Sequence, residues 1–279
     1  MSAFSAFYRE CVGVLVNEIT SRDNPHIKQA VALRKSAAER RAQGLFFLDG
    51  YRLCVDALAS GFVPQVLFCT ALARRKYDTV ALETVAAKGL VISEAVALKL
   101  GDTETPQGVF AVCAQKRPPD VPPVFAPQGR YIALENVQNP GNLGAVARTA
   151  EALGMDALLC GGGCDIYHPK ALRASMGAVL RLPVFAIPAE GFAAALREAA
   201  QMLRCFASVP DANAIPVTRI CFGRGSLVAV GSEGNGLTAE AIAVCHERIT
   251  IPMPGKAESL NAAAAATILM WMLAQPNEE

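Results

Sequence analysis

Apolar positions in this chain follow two rhythms that alternate, short continuous runs and longer stretches with helical spacing. In the first part, residues 25–43 read as one basic helix and LFFLDG as a short strand. Residues 51–60 read as a helix, with Gly61 where a left-handed cap falls. VPQVLFC, GLVIS and GVFAVCA read as strands, the last following the turn Thr105-Pro106-Gln107-Gly108. The second part repeats the rhythm with stronger signals. YIALENV, DALLCGG, PVFAI, RCFASV, SLVAVGSEG and RITIPM read as strands, and 144–153, 169–178, 192–203 and 259–274 as helices. Strands apolar throughout and alternating with helices predict an α/β fold whose parallel sheet is covered on both faces.

Between the two parts lies KRPPDVPPVFAPQG, five prolines in fourteen residues, which reads as an extended linker at 116–129. The chain's 279 residues then divide into an extension 1–18 of unassigned role, a module 19–115, the linker, and a larger domain 130–279. A 52% hydrophobic content against 18% charged excludes a mostly disordered chain. The longest apolar run, Ala262–Ala274, is short of the roughly 20 residues of a membrane span, so no membrane partner is expected. Arg9 and Glu10 interrupt the apolar stretch that a secretory signal would need. Nine cysteines without a framework point to reduced thiols and a cytoplasmic protein.

The net charge of +1 hides one uneven stretch. Arg22, Lys28, Arg34, Lys35, Arg40 and Arg41 face only Asp23 and Glu39. It reads either as a solvated helix face or as a nucleic-acid contact made by Arg34, Lys35, Arg40 and Arg41.

In parallel α/β sheets, ligands bind beyond the carboxyl ends of the strands, and three such loops are unusual here. The first, NVQNPGNLGAVARTAEALG, carries Asn136, Asn139 and Asn142 on a Pro-Gly turn that enters a helix, with Arg148 farther along it. Free N–H groups at such a helix start favour an anion; the plain alternative is an ordinary turn with an exposed Arg. The second, VGSEGNGL, combines Gly231, Gly234 and Gly236 with Glu233, a carboxylate at an apolar strand end that needs a partner. Its plain alternative is a tight turn, and it is not a dinucleotide fingerprint. The third, ITIPMPGKAESLNAAAAA, sets Ser259 and Asn261 before an alanine run, either a close-approach site or a core helix capped by Ser259. Cys160, Cys164 and His168 lack zinc-site spacing and fit a strand-end turn better, so no metal is expected. His26 and His246 default to surface or core. Phe46, Phe47, Tyr51, Phe62 and Phe68 are expected in a core, and Trp271 in a core or a subunit interface.

In this order and spacing, the three loops resemble the signature motifs of the SpoU/TrmH branch of the SPOUT RNA methyltransferases. The matching residues are Asn136, Pro140, Asn142, Gly144 and Arg148, then Gly231, Glu233, Gly234 and Gly236, then Ile251, Pro252, Met253, Ser259, Leu260 and Asn261. Arg173, Ser175 and Gly177 match between them, and residues 19–115 resemble the ribosomal-protein-like, RNA-binding substrate module of one subgroup. Asn139 stands where the family often has Asp, and alanines follow Asn261 where Val-Ser or Val-Ala is usual. The resemblance implies a C-terminal SPOUT domain with a deep trefoil knot, and a homodimer with a shared active site. It implies methyl transfer from S-adenosylmethionine to a ribose 2′-hydroxyl of structured RNA, rRNA before tRNA. Gly231, Ile251, Met253 and Leu260 would then hold the cofactor, and Asn142, Arg148, Glu233, Ser259 and Asn261 would form the catalytic neighbourhood. An arginine is essentially never deprotonated, so Arg148 is read as a grip on phosphate and developing alkoxide charge rather than as a base. The other readings are a tRNA methyltransferase, an RNA-binding protein without turnover, and a nucleotide-dependent metabolic enzyme, the last disfavoured by missing phosphate fingerprints.

Overall fold

The computed structural model describes residues 18–116 and 124–275. The expected extension 1–18 and half of the linker 116–129 lie outside the described residues. The chain divides into two compact units, Met1–Ala114 and Gln115–Glu279.

The first unit is built on a four-stranded mixed sheet of β1 (Leu45–Asp49), β2 (Pro64–Thr70), β3 (Gly89–Ile92) and β4 (Val109–Ala114), in the order β1-β4-β2-β3. β4 runs antiparallel to β1 and β2, while β2 and β3 are parallel. Ile27, Leu33, Phe47, Phe68, Leu100 and Phe110 are among its buried core residues. The single helix expected over 25–43 is two, α1 (Pro25–Lys35) and α2 (Ala37–Gln43). Ser36 breaks it. Its backbone is extended, its N–H closes α1 on the Ala32 carbonyl, and its hydroxyl accepts the Glu39 N–H of α2. A Ser with Glu three residues on is a start signal that overrides the continuous pattern. Helices α3 (Tyr51–Ala59), α4 (Ala71–Lys76), α5 (Val80–Val85) and α6 (Glu94–Leu100) complete the unit.

That break corrects the basic patch. Arg40 is 1% exposed, and its Nη1 donates to the Leu33 carbonyl at 2.7 Å and the Arg34 carbonyl at 3.2 Å, filling acceptors that the end of α1 leaves open. Arg34 Nη1 donates to the carbonyls of Leu100 and Gly101 beyond α6. Both guanidiniums are used in holding helix ends, and only Lys35 and Arg41 of the expected RNA-contacting set are exposed.

The second unit holds a seven-stranded sheet, parallel at every pairing. In chain order come β5 (Arg130–Glu135), α7 (Pro140–Ala152), β6 (Ala157–Gly161), α8 (Pro169–Ala174), α9 (Ala178–Arg181), β7 (Val184–Ile187), α10 (Phe192–Ala199), β8 (Arg204–Ser208), β9 (Ile215–Pro216), β10 (Ser226–Val230), α11 (Ala239–Val244), β11 (Glu247–Thr250) and α12 (Ala262–Ala274). In space the order is β7-β6-β5-β10-β8-β11-β9. Tyr131, Leu159 and Leu227 pack with Phe192 and Leu196 of α10, and the alternate residues Ile132, Leu158 and Val228 are equally buried, so both faces are covered. Helices α7 and α12 pack on each other, and α12 also against β5 and β10. No helix among the described residues is long and apolar enough to cross a membrane.

Three expected boundaries move. The helix expected from Gly144 begins at Pro140, because Asn139 accepts the Gly141 N–H and caps it there. The helix expected over 169–178 splits, since Met176 and Gly177 take positive φ. The last helix starts at Ala262, its cap being Asn261 rather than Ser259.

Candidate functional site

The strand order brings together what the chain separates. β10 lies between β5 and β8, and β11 lies beyond β8, so the loops after β5, β10 and β11 leave the same end of the sheet. The loop after β10 folds back on itself, the Gly236 N–H donating to the Ser232 carbonyl at 2.9 Å. Gly231 makes that fold possible, since a Cβ there would lie 2.0 Å from the Gly236 carbonyl carbon. Gly144 has a comparable role in the first loop's helix, where a Cβ would come within 2.5 Å of the Ala171 carbonyl oxygen.

Asn142, in the first turn of α7, donates from its amide to Glu233 Oε1. This bond ties the first loop to the second and supplies the partner that the Glu233 carboxylate needs. A second tie lies beneath it. Glu135, 6% exposed at the end of β5, accepts from Thr238 N–H at 2.7 Å and from Thr238 Oγ1 at 2.8 Å, while Thr238 caps α11. Sequence reasoning missed Glu135; a carboxylate closing an otherwise apolar strand was the available signal.

The loops after β8, β10 and β11 surround a pocket of about 550 Å³ at the carboxyl ends of these strands. Gly231, Glu233, Ile251, Met253, Ser259 and Leu260 line it, six of the nine residues expected to bind cofactor or act in chemistry. Asn142 reaches it through Glu233. Asn261 stands at its edge, its side-chain oxygen accepting from Ala263 N–H at 2.9 Å. Ser208, Val209, Pro210 and Arg248 also line it and were not foreseen. Arg248 pairs with Asp211.

The pocket has the size of a small-molecule site. Its Gly231 turn would be filled by any side chain, and apolar walls at Ile251, Leu237 and Leu260 alternate with backbone groups and the carboxylates of Glu233 and Glu258. That donor set fits S-adenosylmethionine: apolar walls would suit the purine, and carboxylates the cationic sulfonium.

Arg148 stands apart. Six residues beyond Asn142, it lies about 9 Å along α7 and about 240° around it. It is exposed, and among the described residues no side chain pairs with its guanidinium. It borders a surface depression of about 440 Å³ with Leu153, Ile268 and Trp271. Trp271 is 57% exposed, not core as one reading expected. Within one chain, Arg148 is therefore not part of the pocket.

Cys160, Cys164 and His168 do not converge. His168 Nδ1 accepts the Lys170 N–H as the cap of α8, and burial pushes the Cys164 thiol up to about 11, which leaves it protonated.

Residues 129–271 match the SpoU rRNA Methylase family, and residues 24–111 match an MRM3-like substrate binding domain. An uncharacterized tRNA/rRNA methyltransferase of Synechocystis is 33% identical over 92% of this chain and 93% of its own length. The 23S rRNA (guanosine(2553)-2′-O)-methyltransferase RlmP of Bacillus subtilis is 29% identical over 92% of this chain and 99% of its own. The crystal structure of an AdoMet-bound rRNA methyltransferase from Sinorhizobium meliloti is similar at a TM-score of 0.81 and 28% identity, covering 92% of this chain and 96% of that one.

Proposed function

The chain belongs to the SpoU rRNA methylase family, and from that premise we propose that it methylates a ribose 2′-hydroxyl of 23S rRNA, using S-adenosylmethionine. The observation that carries this reading is one pocket walled by the loops after β10 and β11, to which the Asn142–Glu233 bond fastens the start of α7. When bound, the cofactor supplies an already activated methyl group, so the protein's task is to place the ribose oxygen in line and stabilise its developing charge. Gly231, Ile251, Met253 and Leu260 hold the cofactor through backbone and apolar contact. Glu233 orients Asn142 toward the ribose, and Ser259 borders the same space. Asn261 acts by fixing the start of α12, because its oxygen is already engaged there.

Arg148 enters from a second copy of the chain. It sits beside Ile268 and Trp271, large apolar residues left exposed on α12. Pairing these faces in a homodimer would bury them and set each guanidinium against the partner's pocket, where it grips phosphate and the forming alkoxide. The trefoil knot of the family belongs to the same reading, as does a reducing cytoplasm in which the cysteines remain thiols; the eight among the described residues are all free.

Incubation of the purified protein with tritiated cofactor and unmethylated 23S rRNA or tRNA tests this directly. Label is expected in 23S rRNA, at one 2′-O-methyl position. Label confined to tRNA would replace the substrate, and an absence of both transfer and cofactor binding would reject the reading.

A further inference from the structure

Phe46, Phe47 and Phe68 of the first unit are buried, as their apolar surroundings predict. Tyr51 differs. It opens α3, stands half-buried, and stacks on Tyr77, which follows α4, with ring centroids 4.7 Å apart and planes inclined by 17°. The column is fixed from behind: Tyr51 N–H donates to Gln107 Oε1 at 2.8 Å, and its hydroxyl donates to the Asp78 carbonyl at 3.1 Å.

Cations flank the two tyrosines in sequence. α4 ends in Arg74, Arg75 and Lys76. Arg74 is engaged by Glu83 through two bonds, at 2.9 and 2.6 Å. Arg75 and Lys76 are exposed, as is Arg52 next to Tyr51, and among the described residues none of the three pairs with a carboxylate. Lys76 Nζ lies 5.3 Å from the Tyr77 ring centroid, on a flexible stem that can leave the ring for a phosphate. Asp78, next to Tyr77, accepts the Val80 N–H.

A rigid aromatic column among unengaged cations suits one kind of partner. Unpaired bases present a flat face that stacks on aromatic rings, with the adjoining phosphates drawn to Lys and Arg. A regular duplex presents phosphates but no base face. We infer that Tyr51 and Tyr77 receive an unpaired base of the RNA substrate, with Arg52, Arg75 and Lys76 holding the phosphates beside it. This rests on the proposed function only in taking RNA as the partner. It also explains how the unit can bind RNA although Arg34 and Arg40 are engaged elsewhere.

The test uses the full-length protein, a fluorescein-labelled RNA hairpin with an unpaired loop, and a blunt RNA duplex of the same stem. Tyr77→Ala is expected to weaken hairpin binding about tenfold and leave duplex binding unchanged, while Tyr77→Phe stays within about twofold. The double variant Arg75→Ala/Lys76→Ala is expected to weaken both and to lower the salt dependence by about two phosphate contacts. Unchanged melting temperatures and calorimetric S-adenosylmethionine titrations show that the variants fold. Hairpin binding unaffected by Tyr77→Ala, equal losses on hairpin and duplex, or wild-type protein that ignores the hairpin would each overturn the inference. The two readings separate: methylation of 23S rRNA with variant-insensitive binding removes only this surface, whereas variant-sensitive binding without transfer to any RNA keeps the surface and removes the proposed reaction.

Discussion

The two units treat their polar side chains in opposite ways. In the first, with its mixed four-stranded sheet, two arginines from the most basic stretch of the sequence turn inward and hold helix ends: Arg40 fills carbonyls at the end of α1, and Arg34 does so beyond α6. In the second, the polar residues stand past the carboxyl ends of parallel strands, and there they meet one another beside the pocket, as Asn142 meets Glu233. The difference is one of geometry. Every strand of a parallel sheet ends on the same edge, so a polar residue just after a strand is carried to a common place whatever its partners. A charge on a helix has no such fixed destination, and a neighbouring open carbonyl can claim it.

If loop position and not charge density marks the chemistry, the largest effect belongs to Arg148, the exposed cation of α7. Arg148→Ala is expected to lower the single-turnover rate of methyl transfer to the RNA substrate by about 10²–10³ and leave calorimetric cofactor affinity unchanged; Arg148→Lys should keep part of the rate. Near-wild-type rates in both variants would remove the role assigned to this residue.

Gly231→Ala sharpens the same side of the comparison. A methyl group 2.0 Å from the Gly236 carbonyl carbon cannot be accommodated without moving the loop. A loss of cofactor affinity of at least about tenfold follows from such a shift, on the order of 1.4 kcal/mol or more, and titration calorimetry reads it. Retained affinity would mean that the turn of this loop does not shape the site.

Across the divide, Arg40→Ala is expected to cost about 1–3 kcal/mol in denaturant unfolding of the whole chain, because two helix-end carbonyls lose their donor. Lys35→Ala and Arg41→Ala, on exposed positions, should change stability by about 0.5 kcal/mol or less. An Arg40 variant as stable as these two would return Arg40 to the surface.

One pH effect is shared by both units. Burial pushes the thiols of Cys69 and Cys113 in the first unit, and of Cys205 in the second, up to about 12. The folded state therefore keeps these protons at pH values where the unfolded chain loses them, and stability falls as pH rises from about 9 toward 12. Each thiol contributes a slope of about 1.4 kcal/mol per pH unit within that window. Thermal melts across this range check it, and Cys113→Ala should flatten the slope.

The sequence made the alternation of strands and helices legible, together with most residues of the pocket wall. The reason is that period, turn residues and strand-end position are local properties. Gly231, Glu233 and Ser259 were readable in this way, and Ile251, Met253 and Leu260 through the resemblance of their motif to the family's. The break at Ser36 was readable too, through its pairing with Glu39, but the continuous basic pattern hid it. Ser208, Val209, Pro210 and Arg248 were not. They join the pocket only because β8 is laid between β10 and β11, and strand order is decided by crossovers that no stretch of sequence displays.

What the chain alone determined is which short segments could be strands, where they end, and which chemistry waits at those ends, since each follows from neighbours a few residues apart. The folded molecule decided which of those ends meet, which arginines are withdrawn to close helices, and which two tyrosines form a half-buried column. These outcomes depend on contacts between residues far apart in sequence, whose energies exist only once the sheet has been ordered and the helices packed upon it.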